Sequence, residues 1–263
     1  MLSLLEATGL EPDEVADVLQ QNPRAYMAVR GAVAERHLHK ILQRYRENGK
    51  IEILRTASGD MDKDFYVSVG GRDVVIECKN VEVIKLTTKI EKISYIDYLI
   101  KSGLYGREDL AEAMGRAECS SNVILDCSAK EVGDVFKRLP QSFRESGLPK
   151  YRFSATNVAQ ASLGRLSDED FLNQFSGSPL TIDFQRTRNS TDGDGDTKRK
   201  RYYKAGEIDI VAACLFSRTL EWRFLYATVD NFERHKIYED RYANGVKLIP
   251  GRWTSDLWQL IRK

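Results

Sequence analysis

The sequence predicts an α/β fold, and three observations carry the prediction. A long amphipathic helical pattern precedes residue 50, a block of strand signals runs from residue 51 to 80, and helical and strand-like segments alternate after it. Residues 3 to 20 have the spacing of a short helix or helix pair, and Asn22-Pro23 then punctuates the chain. The segment that follows, through Asn48-Gly49, places Val29, Val33, Leu38, Ile41 and Leu42 near helical spacing and charged residues on the other face. Gly49 supplies its C-terminal stop. IEILRTAS, FYVSV and VVIECK then form a three-stranded antiparallel meander, the last two runs joined by the two-residue turn Gly70-Gly71.

Residues 85 to 118 return to helical character, broken at Gly103 and Gly106. NVILDCS predicts a short buried strand, AKEVGDVFKRLPQSF a helix ending near Pro140, and SDEDFLNQF another helix. TIDF and GEIDIVAACLF are two strand-like runs joined by a long polar surface loop, WRFLYATVD is a further strand, and SDLWQLIRK closes the chain as a helix. No internal repeat and no convincing linker divides the 263 residues, so a single domain is expected. Within it, the expected parts are an N-terminal helical segment at 1–24, a core at 25–130 that holds the chemistry-bearing residues taken up below, and a part at 150–263 that completes the sheet and carries recognition elements.

Composition bounds the function. A hydrophobic share of 42% and a charged share of 30% are those of an ordinary folded protein, and a net charge of +1 gives no global attraction to polyanions, so nucleic-acid affinity must come from local clusters. The four cysteines are too dispersed for a disulfide framework or a zinc site, which suggests reduced thiols. The start MLSLLEATGLEPDE lacks a basic n-region, and no stretch nears the roughly 18 apolar residues of a membrane span, so a cytoplasmic location is expected. No Walker loop, GxGxxG or nucleophile elbow occurs, which argues against NTPase, dinucleotide and common hydrolase classes.

The stretch that carries chemistry is GDMDKDFYVSVGGRDVVIECKN. Asp64 opens one strand of the hairpin, while Glu77 and Lys79 lie on the next. Because strand side chains alternate, Glu77 and Lys79 share a face and Cys78 points away. Two carboxylates in one place suit a hard divalent cation, and an ammonium beside them suits charge developing on a phosphate. Glu77 and Lys79 follow the apolar run Val74, Val75 and Ile76, and charges in a buried strand cost free energy unless they pair or bind metal. Asp60 and Asp62 compete with Asp64 for the acidic role, and a structural ion pair is the alternative to a site.

At these residues the chain resembles the PD-(D/E)XK nuclease superfamily, to which many type II restriction endonucleases belong. The likeness covers roughly residues 25 to 82. An acid precedes a hairpin and a Glu-X-Lys follows it, as Asp64 and Glu77-Cys78-Lys79 do here, while Lys63 stands where the family places proline. The resemblance implies a restriction-endonuclease-like mixed β-sheet flanked by helices. It also implies catalysis by Asp64, Glu77 and Lys79, and Mg2+ held by Asp64, Glu77 and the Cys78 carbonyl. Glu35, in the middle of the long helix, matches the helix-borne glutamate of many members, although Arg36 and Lys40 could simply pair with it. The implied partners are double-stranded DNA, a second copy of the chain in a homodimer, and a methyltransferase acting on the same DNA site. Repair, modification-dependent or structure-selective nucleases share such a site, and a non-catalytic DNA-binding protein would keep the basic residues without the chemistry.

For DNA contact the sequence offers Arg186 and Arg188, then Lys198, Arg199, Lys200 and Arg201, followed by Tyr202 and Tyr203. Asn80 either reaches DNA or caps the strand end. Glu207 and Asp209 in GEIDIVA have the form of a second metal-binding strand, but the next strand lacks Glu-X-Lys, so a central strand of the same fold is expected. Asp192, Asp194 and Asp196 do not make a calcium loop, because Thr197 occupies the sharp-turn glycine position and Tyr203 the position of the final glutamate. His37, His39 and His235 are spaced as packing or surface residues.

Overall fold

A computed structural model describes residues 4–58, 63–82, 86, 88–115, 126–140, 143, 164–176, 179–186, 195–219 and 221–263. The chain divides into two compact units: residues 1–82 with 156–263, and residues 83–155.

The first unit opens with helices α1 (Leu4–Thr8), α2 (Pro12–Gln21) and α3 (Pro23–Glu47). Asn22 starts α3 by accepting the Ala25 N–H on its side chain, with Pro23 in the first turn, where its missing N–H costs nothing. The stripe of α3 that faces the sheet is Ala34, Leu38 and Leu42, repeating every four residues. Val29, expected on that face, is 42% exposed. Four-residue spacing brings Arg30 under the stripe instead, and its guanidinium is buried 5.6 Å from the Phe216 ring and 5.7 Å from that of Tyr26.

The sheet runs in the order β1 (Ile53–Thr56), β2 (Phe65–Val69), β3 (Arg72–Asn80), β5 (Ile210–Cys214), β6 (Phe224–Thr228). The first three strands form the expected antiparallel meander; β3 pairs parallel with β5, and β5 antiparallel with β6. GEIDIVAACLF therefore supplies an interior strand, between β3 and β6, as its sequence suggests. Alternate residues of β5 enter different cores. Ile210, Ala212 and Cys214 pack with Leu38, Leu42, Phe65, Ile76 and Cys78 beneath α3, while Val211 and Ala213 pack with Phe171, Phe184, Tyr203 and Trp253 on the other face. Burial on both faces explains why IVAAC shows no alternation of polar and apolar residues.

The second face is covered by helix α7 (Asp168–Asn173) and by a small antiparallel pair, β4 (Thr181–Asp183) with β7 (Gly245–Lys247). Helices α8 (Phe216–Thr219) and α9 (Leu257–Ile261) lie next to and after the last main strands. TIDF thus joins a separate two-stranded sheet. The second unit consists of α4 (Lys89–Lys101), α5 (Arg107–Met114) and α6 (Ala129–Arg138) around Tyr95, Ile96, Leu99, Leu110 and Val132. Reciprocal capping pairs, Thr88 with Glu91 and Ser128 with Glu131, start α4 and α6.

The strand expected at NVILDCS falls mainly on residues outside the described ones, as does the segment KYRFSATNVA. Cys78, Cys127 and Cys214 are buried, and Cys78 and Cys214 are free thiols. Among the described residues, no helix is long and apolar enough to cross a membrane.

Candidate functional site

The hairpin that carries the acidic residues is set by its turn. Gly70 and Gly71 have φ of +56° and +76°, a left-handed pair that two-residue hairpins require and that side chains with a Cβ resist. The register then follows, from Val69 opposite Arg72 to Phe65 opposite Ile76, and one step further brings Asp64 opposite Glu77. Asp64 accepts the Cys78 N–H at 2.7 Å. Strand geometry turns the carbonyl of Cys78 to the same edge as its N–H, while its thiol packs in the core beneath α3.

Glu77 is 4% exposed. Its Oε1 accepts from the Lys79 ammonium at 2.6 Å and from the Tyr203 hydroxyl in a short hydrogen bond. Its Oε2 is buried and has no hydrogen-bond partner among the described residues. Glu35, half-buried on α3, and Asp64 share the wall of an open groove of about 320 Å³ that also includes Arg36, His39 and Thr56. The structure thus groups Asp64, Glu77, Lys79 and Glu35. Asp60 and Asp62 lie outside the described residues.

The electrostatics reflect crowding of acids in a dry place. Burial first, then Glu77 and Glu35, push the Asp64 carboxyl up to about 8 against the opposing pull of Lys79 and the Cys78 N–H. Burial likewise raises Glu35, with Lys79 opposing and Glu77 adding. Burial acts to discharge Lys79, but Glu77, Tyr203 and Asp64 outweigh it and hold the ammonium charged well above the ordinary lysine range. The Lys79 ammonium is thus held charged beside a carboxyl group whose protonated form is favoured by burial and by its acidic neighbours.

Among the described residues, no three of His, Cys, Asp and Glu converge as a ready-made metal cage. The donor set still fits a hard cation. Asp64 and Glu77 offer oxygen ligands, Glu77 Oε2 is a buried acceptor left unsatisfied, and magnesium keeps several of its waters rather than demanding an all-protein shell.

The residues expected to touch DNA do not behave alike. Arg186 is 4% exposed, pairs with Glu207 at 2.6 Å, and lies over the Tyr203 ring at 4.9 Å. It is an internal cation, and its guanidinium is not presented to solvent as a contact residue would need. Arg188 is outside the described residues. Lys198 is exposed, and Arg199–Arg201 form a 3-10 turn whose N–H groups at 198 and 199 are capped by Asp196. Arg199 also pairs with Asp240 at 3.0 Å. Asn80 is half-buried, with Oδ1 lacking a partner among the described residues. Of the second acidic motif, Glu207 holds Arg186 and Asp209 accepts the Val75 N–H at 2.7 Å, so both are occupied in holding β5 to its surroundings.

Two neighbours of the site escape sequence reasoning. Tyr203, expected as a flank of the basic cluster, is 3% exposed and turned inward to Glu77 across a separation of 126 positions. Lys63, immediately before Asp64, is buried with its ammonium 5.7 Å from the Tyr203 ring. Nothing local in the sequence marks either contact. The histidines pack as expected: His37 stacks on Trp222 and His39 on Phe65, while His235 lies against Tyr202 and Tyr238. Comparison with models of known protein families, with curated proteins and with solved structures finds no match to this chain.

Proposed function

We propose that the chain is a magnesium-dependent endonuclease acting on double-stranded DNA, with a restriction-endonuclease-like fold. One observation carries the reading: Glu77, 4% exposed and clamped on one oxygen by Lys79 and Tyr203, has its other oxygen buried and without a hydrogen-bond partner among the described residues, on the strand whose next residue donates its N–H to Asp64. A structural ion pair gains nothing from an unsatisfied charged acceptor, whereas a cation site needs one.

Asp64, Glu77 and the Cys78 carbonyl are the residues that hold the cation, and Glu35 supports them from α3. Bound there, magnesium supplies positive charge and an acidified water for phosphodiester hydrolysis. Lys79 stays protonated, so its part is to offset negative charge growing on the scissile phosphate rather than to remove a proton. Lys198, Arg199, Lys200 and Arg201 contribute phosphate contacts that position the duplex. A homodimer of this chain would cut both strands, and a methyltransferase of the same specificity would protect the host.

Digestion of unmethylated phage DNA with Mg2+ tests the reading. Discrete fragments mark a site-specific restriction enzyme, and a smear marks a repair or structure-selective nuclease built on the same site. Intact DNA that is nonetheless bound marks a DNA-binding protein without the chemistry.

A further inference from the structure

We infer that Tyr203 is a positioning residue that holds Glu77 in the orientation a divalent cation requires, an inference that rests on the cation site proposed above. An ionised carboxylate has lone pairs on two oxygens to satisfy, yet the Lys79 ammonium and the Tyr203 hydroxyl both donate to Oε1. Two donors on one oxygen restrain the carboxylate's rotation, and Oε2 is buried with no hydrogen-bond partner among the described residues. A single donor would leave the group able to turn and share its oxygens. Hydrogen-bonded supports of this kind orient metal ligands in general.

Tyr203 is itself buried and held from several sides. Its ring packs at 4.8 Å from that of Phe184, and its backbone carbonyl accepts the Tyr242 N–H at 3.0 Å. Three cationic groups surround the ring face: Lys79 at 5.4 Å, Lys63 at 5.7 Å and Arg186 at 4.9 Å. The same residue therefore anchors the acid of the Glu-X-Lys through its hydroxyl and steadies the lysine through its ring. It also ties the site to the basic turn at Arg199–Arg201, which ends two residues before it.

The test is Mn2+ binding by titration calorimetry to the full chain, comparing wild type, Tyr203→Phe and Glu77→Gln, with melting curves of each. Phenylalanine keeps the ring and its cation contacts and deletes only the hydroxyl, which bonds Glu77 and Lys79. The wild type binds Mn2+, Glu77→Gln abolishes binding, and Tyr203→Phe weakens it about 10- to 100-fold, the usual effect of removing a ligand's hydrogen-bonded support. A purely structural hydroxyl would lower the melting temperature and leave the Mn2+ affinity of the folded protein unchanged, which overturns the inference alone. Absence of Mn2+ binding by the wild type overturns both the inference and the cation site on which it rests.

Discussion

Replacing Lys79 with methionine should destabilise the first unit by about 3 kcal/mol, because one member of a buried ion pair is removed and the other is left behind. Glu77 has a side chain only 5% exposed, and its Oε1 would keep only the Tyr203 hydroxyl. Unmatched buried charges of this kind cost about 3–5 kcal/mol, and the 18% exposure of the Lys79 side chain argues for the low end. For a chain of this size that is a fall in melting temperature of roughly 6–12 °C. The double variant Glu77→Leu/Lys79→Met removes both charges and should return to within about 1 kcal/mol of wild type, the residue being the Tyr203 hydroxyl left without its acceptor. Urea unfolding followed by tryptophan fluorescence reads this cleanly, since Trp222, Trp253 and Trp258 all lie in the first unit. Both variants should lose DNA cleavage, so recovered stability with lost activity separates the two roles of the pair. Unchanged stability in Lys79→Met, or a double variant as unstable as the single, would refute the argument.

Asp64 sets a pH dependence: its carboxyl is raised to about 8 in the fold, so the native state binds more protons than the unfolded chain between about pH 4 and about pH 8. Stability contributed below that window is lost as pH rises through about 8, and Mg2+ should restore it increasingly on the alkaline side; a melting temperature independent of pH, or an equal Mg2+ effect at about pH 6 and about pH 9, would contradict this. Gly71→Ala should cost about 1 kcal/mol because its φ is +76°, although nothing lies within 4 Å of the added Cβ, whereas Gly31→Ala, helical and equally open, should stabilise by about 0.4–1 kcal/mol. Chemical denaturation of the two variants gives shifts of opposite sign if backbone conformation decides. The double variant Lys198→Gln/Lys200→Gln should weaken binding to a DNA duplex and reduce the slope of log affinity against log salt by about two. An unchanged slope would remove the basic turn from the interface.

The parts of the fold legible in sequence are those written in local chemistry. Gly70-Gly71 forces a left-handed turn, Asn22-Pro23 starts α3, and IVAAC is too uniformly apolar to be anything but a doubly covered strand. Adjacency of Asp64, Glu77 and Lys79 follows from the same turn, because a two-residue hairpin fixes the register. What stayed hidden depends on packing between distant segments. Helical spacing alone fits Val29 or Arg30 under the sheet, and only the direction of the buried stripe chooses Arg30. Arg186 has the composition of a DNA contact until Glu207 and Tyr203 surround it. Tyr203 reaches Glu77 only because the segment after the basic turn folds back over the second face of the sheet. The division of the chain near residue 83 carries no shift in composition either, since it is defined by contacts.

The central claim, that Asp64, Glu77 and Lys79 hydrolyse DNA with magnesium, is tested most directly by conversion of supercoiled plasmid to nicked and linear forms. Purified wild type would be compared with Asp64→Asn, Glu77→Gln and Lys79→Ala variants confirmed folded by circular dichroism, with and without a chelator. Cleavage by the wild type should stop on chelation and be absent in all three variants. Plasmid left supercoiled across several divalent metals and methylation states, or cut equally well by the variants, would contradict it.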